Sequence, residues 1–296
     1  MNFIRRFTLP AIVGLPVILG ILLLILPFRK TSDASRGISF KKIAVVYVDG
    51  AIFDAEAIVN KLNDLVDDNM VAGVLLRVNS PGGATAPSQE IYQAVRQFRM
   101  KNKPLVVSMG SIAASGGYYI ACPAQWIFAD PGTLTGSIGV IMTLPLYKEL
   151  AEKIGIEMRT YKSGKYKDIA NAYRTMSAEE NTMIQNLLDD THDQFIDDVA
   201  NSRNIDRDSL LLIADGRIFT GRQAKVNKLV DSLGTFEDAL HYLKTITKLG
   251  ANGRVINKKD PGERMQRWII REMVHLFPHL YRVIAPTGMH CLFLFE

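Results

Sequence analysis

Cysteine and histidine are scarce in this sequence, which has two of the first and five of the second among 296 residues. Cys122 and Cys291 lie far apart, and neither has a potential metal ligand at a suitable spacing. The sequence therefore gives no indication of a zinc site or a CxxC redox pair. Cys122 is expected to be a small buried apolar residue, and nothing in the sequence supports a Cys122–Cys291 disulfide.

A dense basic surface is also missing. The net charge is only +5, the basic residues are spread along the whole chain, and no stretch interleaves them densely with aromatics. This pattern argues against nucleic acid as a partner. Apolar residues make up 48% of the chain and charged residues 22%. These values are typical of a globular protein that carries an additional hydrophobic segment.

The additional hydrophobic segment is at the N-terminus, where Phe7–Phe28 contains no charged residue. At a rise of about 1.5 Å per residue, this stretch spans a hydrocarbon core of about 30 Å. We therefore expect residues 1–30 to be an uncleaved membrane anchor. The alternative is a cleaved signal peptide with a weak site at Ser32–Ala34, but the run is longer than a normal h-region and Arg29–Lys30 precedes the site.

The charges around this stretch favour a cytoplasmic domain. Five basic residues lie between positions 29 and 42, against two before the stretch, at positions 5 and 6. By the positive-inside rule alone, the large domain that follows the stretch would stay in the cytoplasm.

A polar linker at residues 31–42 leads into a region where short apolar runs alternate with segments of helical spacing. This alternation predicts βαβ units and a mainly parallel sheet over residues 43–249. The predicted strands are Ile43–Val48, Val71–Val78, Leu105–Met109, Trp126–Ala129 and Ile138–Met142, with a short strand and turn at Asp215–Gly221. The predicted helices are Ala55–Val66, Pro87–Phe98, Leu146–Ile154, a long helix from the capping box Ser177–Glu180 to about Ser202, and Phe236–Leu249.

Three segments rich in small residues lie beside predicted strands, where ligand sites of parallel sheets collect. They are Asn79–Gly83, Met109–Gly117 and Thr135–Val140. In the second, strand, sharp turn and helix start place Ser115 as a nucleophile elbow would, with the N–H of Gly116 available to a tetrahedral oxyanion. The first segment fits either an oxyanion hole or an ordinary strand-to-helix turn. The third by itself favours a structural turn.

A base for Ser115 is harder to identify. The first histidine in the chain is His192, which is expected on the surface of the long helix, so a Ser–His–Asp triad has little support. A lysine is the alternative, and the segment Tyr161–Ile169 offers Lys162, Lys165 and Lys167. A lysine acts as a base only where burial or neighbouring charges lower its pKa to about 7–8. A solvated basic loop is the other interpretation of this segment.

Taken together and in this order, five segments resemble the signal peptide peptidase A family, also called protease IV or peptidase family S49, in its short single-repeat form. They are Val78–Gly83, Ser108–Tyr119, Gly136–Val140, Lys162–Gly164 with Lys167–Asp168, and Asp215–Ala224. The resemblance covers about Ile43–Leu249. It implies an α/β fold, a ClpP/crotonase-like spiral of ββα units, behind an N-terminal transmembrane helix.

The resemblance also implies roles for individual residues and a reaction without metal or cofactor. Neutral lysine would take the serine proton as the hydroxyl attacks a peptide carbonyl, and water would then hydrolyse the acyl-enzyme. The implied roles are Ser115 as nucleophile, Lys167 as general base (aligned through Asp168 and Ile169), Ser137 as the residue that orients the lysine, Gly83 and Gly116 as oxyanion donors, and Gly82 as the residue that shapes the turn.

The family further implies a homo-oligomeric ring that shares its sites between subunits. Its substrates would be remnant signal peptides cleaved in or near the lipid of the bacterial inner membrane. The catalytic domain would then be periplasmic, against the charge count, because long domains translocate largely regardless of flanking charge. Residues 250–296 depart from the family. The apolar stripe Ile269, Met273, Leu276 and Leu280 predicts a helix that lies on the membrane or packs against the domain or a neighbouring subunit.

Two other functions are compatible with such a fold. An acyl-CoA hydratase or isomerase would use an oxyanion hole with carboxylate acid/base residues, but no carboxylate lies close to Ser115 in the sequence. A catalytically inactive membrane scaffold would be expected to lose its nucleophile or its base, whereas Ser115 and Lys167 are both present.

Overall fold

The computed structural model describes residues 41–250 and 253–257, with the backbone of residues 292–293. The predicted anchor at residues 1–30 and the predicted C-terminal helix lie outside these ranges. Within them, no helix combines the length and the apolar character needed to cross a membrane.

Strands and helices alternate along the described chain, close to the predicted pattern. The strands are β1 (Lys42–Asp49), β2 (Val71–Ser80), β3 (Gly83–Ala84), β4 (Leu105–Ala114), β5 (Trp126–Ala129), β6 (Leu134–Gly136), β7 (Ile218–Thr220), β8 (Ser232–Leu233), β9 (Arg254–Asn257) and β10 (Leu292–Phe293). The helices are α1 (Glu56–Asp67), α2 (Thr85–Met100), α3 (Gly116–Ala121), α4 (Lys148–Lys153), α5 (Ala178–Arg203), α6 (Arg207–Leu211), α7 (Gly221–Val226) and α8 (Phe236–Ile246). The predicted capping box at Ser177–Glu180 is confirmed at the start of α5.

The main sheet is largely parallel, as predicted. Its strand order is β7-β6-β4-β2-β1-β9, and β5 pairs with both β4 and β8. The β6–β7 pair is antiparallel, so the sheet is mixed. Strands β1 and β2 appear in the sequence as continuous apolar runs because both of their faces are buried.

Apolar side chains cover both faces of this sheet. On one face, helices α1, α2 and α5 contribute Leu62, Ile91, Phe98 and Phe195 to a large core. On the other face, Leu243 of α8 joins a smaller cluster against β1 and β2. Full burial of one such side chain contributes about 1.5–3 kcal/mol to stability. Both layers therefore hold the ends of the central strands in place.

Two strands differ from the prediction. Strand β4 continues to Ala114, five residues past the predicted end, because its last residues pair with β6 and the hydroxyl of Thr135 donates to the Ala113 carbonyl at 2.7 Å. The predicted strand Ile138–Met142 is wrong, since the strand in this region is β6. Ile138 is buried in the core without belonging to a strand, and such burial produces the same apolar signal.

Two short strands come from the segment beyond residue 249. Strand β9 adds to the edge of the sheet beside β1, in parallel. Strand β10 pairs antiparallel with β3, with Phe293 opposite Gly83. Cys122 is a buried free thiol, as expected, and its sulfur lies 3.2 Å from the Tyr119 carbonyl oxygen.

Candidate active site

The register of the sheet brings three of the predicted site segments to one edge. Ser80 at the end of β2 pairs with Ala113 of β4, and Ala113 pairs in turn with Thr135 of β6. The chain leaves each strand within a few residues of this line. The Gly82–Gly83 turn, the Ser115 bend and Ser137 consequently lie on neighbouring strand ends.

Ser115 lies on a strained bend between β4 and α3. Its φ is 53° and its ψ is −122°, a conformation that non-glycine residues rarely adopt. The backbone N–H of Ser115 donates to the Gly136 carbonyl at 2.8 Å, and its carbonyl accepts from the Tyr119 N–H at 2.8 Å. Both bonds hold the bend in place. The surrounding structure therefore holds Ser115 in a conformation that is unfavourable for a serine.

The hydroxyl of Ser115 is fully buried and has no hydrogen-bond partner among the described residues. An unsatisfied buried polar atom costs about 1–3 kcal/mol, so its presence calls for an explanation. Gly116, the next residue, is the first of α3, and the first N–H groups of a helix have no intrahelical acceptor. A hydroxyl and an N–H donor thus lie side by side in the chain.

Helix α3 anchors this bend in the core. All six of its residues are buried. The hydroxyl of Tyr118 donates to the Leu229 carbonyl at 3.0 Å, and the hydroxyl of Tyr119 donates to the Asp198 carboxylate. The bend that carries Ser115 is therefore fixed from its C-terminal side by buried aromatic rings.

Close backbone contacts explain the glycines beside Ser115. A Cβ on Gly83 would lie 2.0 Å from the Ile52 carbonyl oxygen, and a Cβ on Gly117 would lie 2.5 Å from that of Ser80. Gly82 has a φ of +109°, which favours glycine. The Ile52 N–H donates to the Gly82 carbonyl at 2.8 Å, and the Ala84 N–H donates to the Ile52 carbonyl at 2.7 Å.

Gly83→Ala is expected to destabilise the domain and abolish activity. The added methyl group must displace the Ile52 backbone, which costs about 1–3 kcal/mol or more, and the shift moves the Gly83 N–H. Thermal unfolding and peptide hydrolysis measure both effects. Gly132→Ala is the matched control, because nothing lies within 4 Å of its added Cβ. Equal stability of the two variants would contradict the close contact.

Ser137 follows β6 on a second bend with positive φ, at 51°. Its N–H donates to the Arg217 carbonyl at 2.8 Å, and its side chain is largely buried. Antiparallel β7 thus holds Ser137 next to the strand end that leads to Ser115. This placement is compatible with the predicted role of orienting a lysine.

Lys167 lies in the segment 154–177, which has no helix or strand. Of the three candidate lysines, Lys162 pairs with Asp168 and Lys165 pairs with Glu179. The bond to Glu179 also raises the pKa of Lys165, which disfavours it as a base. Lys167 is exposed, and within the described part of the chain its amine has no hydrogen bond or ion pair. Among the described residues, the Lys167 amine is therefore unpaired, and it is not bonded to the Ser115 hydroxyl.

His192 lies closer to the site than the sequence indicated. Its Nε2 atom lies 3.2 Å from the Ile138 carbonyl oxygen, and its ring is half-buried rather than on the helix surface as expected. Helical spacing from Phe195 and Val199, both fully buried, was the signal that this face of α5 points inward. The His192 ring thus lies beside the residue that follows Ser137, although it is not bonded to Ser115.

The segment around Lys167 also exposes many large apolar side chains. They are Ile141, Leu146, Tyr147, Leu150, Ile154, Ile156, Met158, Tyr161 and Tyr173. Several of the same residues line a cleft of about 430 Å³ between α4 and the segment that follows it. An apolar surface of this extent is typical of a protein interface.

A buried hydroxyl on a strained bend between a strand and a helix is typical of serine hydrolases. Comparison with known proteins agrees. The family model described as Peptidase family S49 matches residues 97–250, and the one described as Clp protease matches residues 38–127. The chain belongs to peptidase family S49. It is a serine peptidase of the signal peptide peptidase A type with a ClpP-like α/β fold.

Individual relatives support the same assignment. A putative protease of Synechocystis sp. is 44% identical over 211 residues, which cover 71% of this chain and 76% of the relative. A putative signal peptide peptidase SppA of Enterococcus faecium is 38% identical over 247 residues, which cover 79% of this chain and 72% of the relative. Protease 4 of Salmonella typhi is 37% identical, but the match covers 35% of its length and 70% of this chain. Among solved structures, a ClpP1 mutant of Listeria monocytogenes aligns at 15% identity and a TM-score of 0.45, covering 66% of this chain and 94% of that one.

Proposed function

We propose that this peptidase acts through a Ser–Lys dyad assembled between subunits, with Ser115 of one copy and Lys167 of a neighbour. Both groups are incomplete within the described part of one chain, and this supports the proposal. The Ser115 hydroxyl is buried without a partner, and Lys167 is exposed with an amine that is unbonded within the described ranges. A second copy of the chain that covers the lysine segment would complete both.

The exposed apolar side chains on residues 141–176 support such an assembly. A stable interface buries about 800 Å² on each partner, and its centre is rich in aromatic and aliphatic side chains. Burial in the interface would also remove water from around Lys167, which lowers the pKa of an amine. Oligomerisation would thus bring a desolvated amine to Ser115.

In the proposed reaction, the neutral amine of Lys167 takes the proton of the Ser115 hydroxyl as the oxygen attacks the peptide carbonyl. The N–H groups of Gly83 and Gly116 stabilise the oxyanion, with Gly82 shaping the turn. The lysine then protonates the leaving amine, and water hydrolyses the acyl-enzyme. Ser137 orients the lysine. No metal or other cofactor takes part in these steps.

We further propose that residues 1–30 anchor the enzyme in the bacterial inner membrane, with the catalytic domain on the periplasmic side. The uncharged run Phe7–Phe28 supports the anchor, and the family resemblance supports the orientation. Peptides in or near the membrane, such as remnant signal peptides, are then the substrates within reach.

Covalent labelling tests the nucleophile and the orientation together. A charged, membrane-impermeant fluorophosphonate added to spheroplasts is expected to label the full chain at Ser115, and the label is expected to sediment with the membranes. Labelling that occurs only after lysis would place the domain in the cytoplasm. Labelling that persists in Ser115→Ala would mean that another residue is the nucleophile.

A further inference from the structure

Arg174 links the segment that carries Lys167 to helix α5, beside the bonds of Lys165 and Tyr166 to Glu179. Residues 154–177 have no helix or strand of their own, so their path depends largely on such contacts. Arg174 bonds to both Asp168, the residue after Lys167, and Glu180, in the first turn of α5. Helix α5 is 26 residues long and packs Phe195, Ile196 and Val199 into the core, so it is a firm support.

The contacts of Arg174 use its whole guanidinium group. Toward the lysine segment, Nε donates to Asp168 Oδ2 at 2.8 Å, and Nη2 donates to Asp168 Oδ1 at 3.0 Å and to the Asp168 backbone carbonyl at 3.1 Å. Toward α5, Nη1 donates to Glu180 Oε2 at 2.8 Å and Nη2 donates to Glu180 Oε1 at 2.5 Å. Nη1 also donates to the Thr175 carbonyl at 3.3 Å. Paired bonds of this kind fix direction as well as distance.

The two carboxylates in this cluster are themselves well held. The Glu180 side chain is only 6% exposed, and its carboxylate accepts the Ser177 N–H of the capping box at 2.8 Å. The Asp168 side chain is 10% exposed, and its bonds to Arg174 and Lys162 keep the pKa of its carboxyl group well below the usual range. Asp168 therefore keeps its charge to a lower pH than an ordinary carboxyl group does.

We propose that Arg174 is a positioning residue that fixes the backbone at Asp168 to helix α5 and thereby sets where Lys167 is presented. The contact to the Asp168 backbone carbonyl carries most weight, because it restrains the main chain immediately after Lys167. This inference rests on the proposed role of Lys167 as the base.

Arg174→Met keeps the length of the side chain and removes all its donors. It is expected to lower kcat about 100-fold, the effect of misplacing a catalytic group by about 1 Å, while KM changes less than about threefold. Arg174→Lys is expected to recover part of kcat, since an ammonium group can bond one carboxylate but cannot span both. Arg207→Met is the matched control, because Arg207 also bridges two carboxylates, Asp193 and Asp197, but on the surface near α6. A kcat for Arg174→Met equal to that of the control would overturn the inference.

A second measurement separates positioning from general destabilisation. In a Lys167→Ala background, Arg174→Met is expected to cause no further fall in the rate at which a fluorophosphonate labels Ser115, because the residue it positions is already gone. The same fold-loss in both backgrounds would show that Arg174 does not act through Lys167. Full activity of Lys167→Ala alone would show instead that Lys167 is not the base, which contradicts the proposed dyad. Should Arg174→Met not assemble, Asp168→Asn replaces it in both measurements, with a smaller loss expected.

Discussion

Ser115→Ala is expected to abolish peptide hydrolysis and to leave the fold intact. Loss of the nucleophile in a serine peptidase lowers kcat by about 10⁴–10⁶-fold. The serine hydroxyl has no hydrogen-bond partner within the described chain, so its removal breaks no bond and relieves a buried unsatisfied group. Hydrolysis of a fluorogenic peptide and thermal unfolding of the same preparation measure both effects. We expect the midpoint of unfolding to be equal to or above that of the wild type.

Ser111→Ala is the matched control for this substitution. Ser111 lies on β4, four residues before Ser115 on the bend, and it is exposed. It also lies within Met109–Gly117, the segment rich in small residues that carries Ser115. Hydrolysis is expected to be near normal in this variant. Activity in Ser115→Ala with none in Ser111→Ala would move the nucleophile to Ser111.

Lys167→Ala is expected to be as inactive as Ser115→Ala and to retain its assembly. Without a base, the serine hydroxyl keeps its proton at neutral pH and is a much weaker nucleophile. The amine makes no bond within the described chain, so the folded chain loses no interaction there. Peptide hydrolysis measured beside sedimentation of the oligomer separates loss of chemistry from loss of assembly.

Two controls and a mixing experiment sharpen this prediction. Lys165→Ala is expected to stay active, since that amine pairs with Glu179. His192→Gln is also expected to stay active, whereas its inactivation beside an active Lys167→Ala would make His192 the base. If sites are shared, equal mixing of subunits from the two dead variants restores about a quarter of the activity, because one site in four combines two intact residues. A mixture with no activity after demonstrated subunit exchange would confine each site to one chain.

The sheet was predictable from the sequence because its physical signal is local. Buried parallel strands require β-branched and aliphatic side chains on both faces, so β1 and β2 were visible as apolar runs. The same reasoning failed at Ile138, where an apolar run reports burial but does not report hydrogen-bond partners. Strand β6 was missed because it is three residues long and two of its residues are Thr135 and Gly136.

The site was predictable only in part, because its groups come from distant parts of the sequence. The bend at Ser115 and the glycine turn at Gly82–Gly83 have local signals in small residues, and both lie at the sheet edge as expected. His192 shares the inward face of α5 with Phe195 and Val199, so helical spacing predicts its half-buried position. The pairing of Lys167 with a serine stays a prediction. If a second copy of the chain supplies the partner, no local pattern encodes it.

The burial of helix α3 makes the two halves of the proposed dyad unequal in local stability. Amide protons behind Ser115 lie in the core and are expected to exchange with solvent only when the whole domain opens, whereas those of residues 154–177 lack such protection. Mild denaturant is then expected to inactivate the enzyme by unfolding residues 154–177 at a concentration that leaves the bend at Ser115 folded. Substitutions in that segment are therefore expected to change activity without disturbing the core.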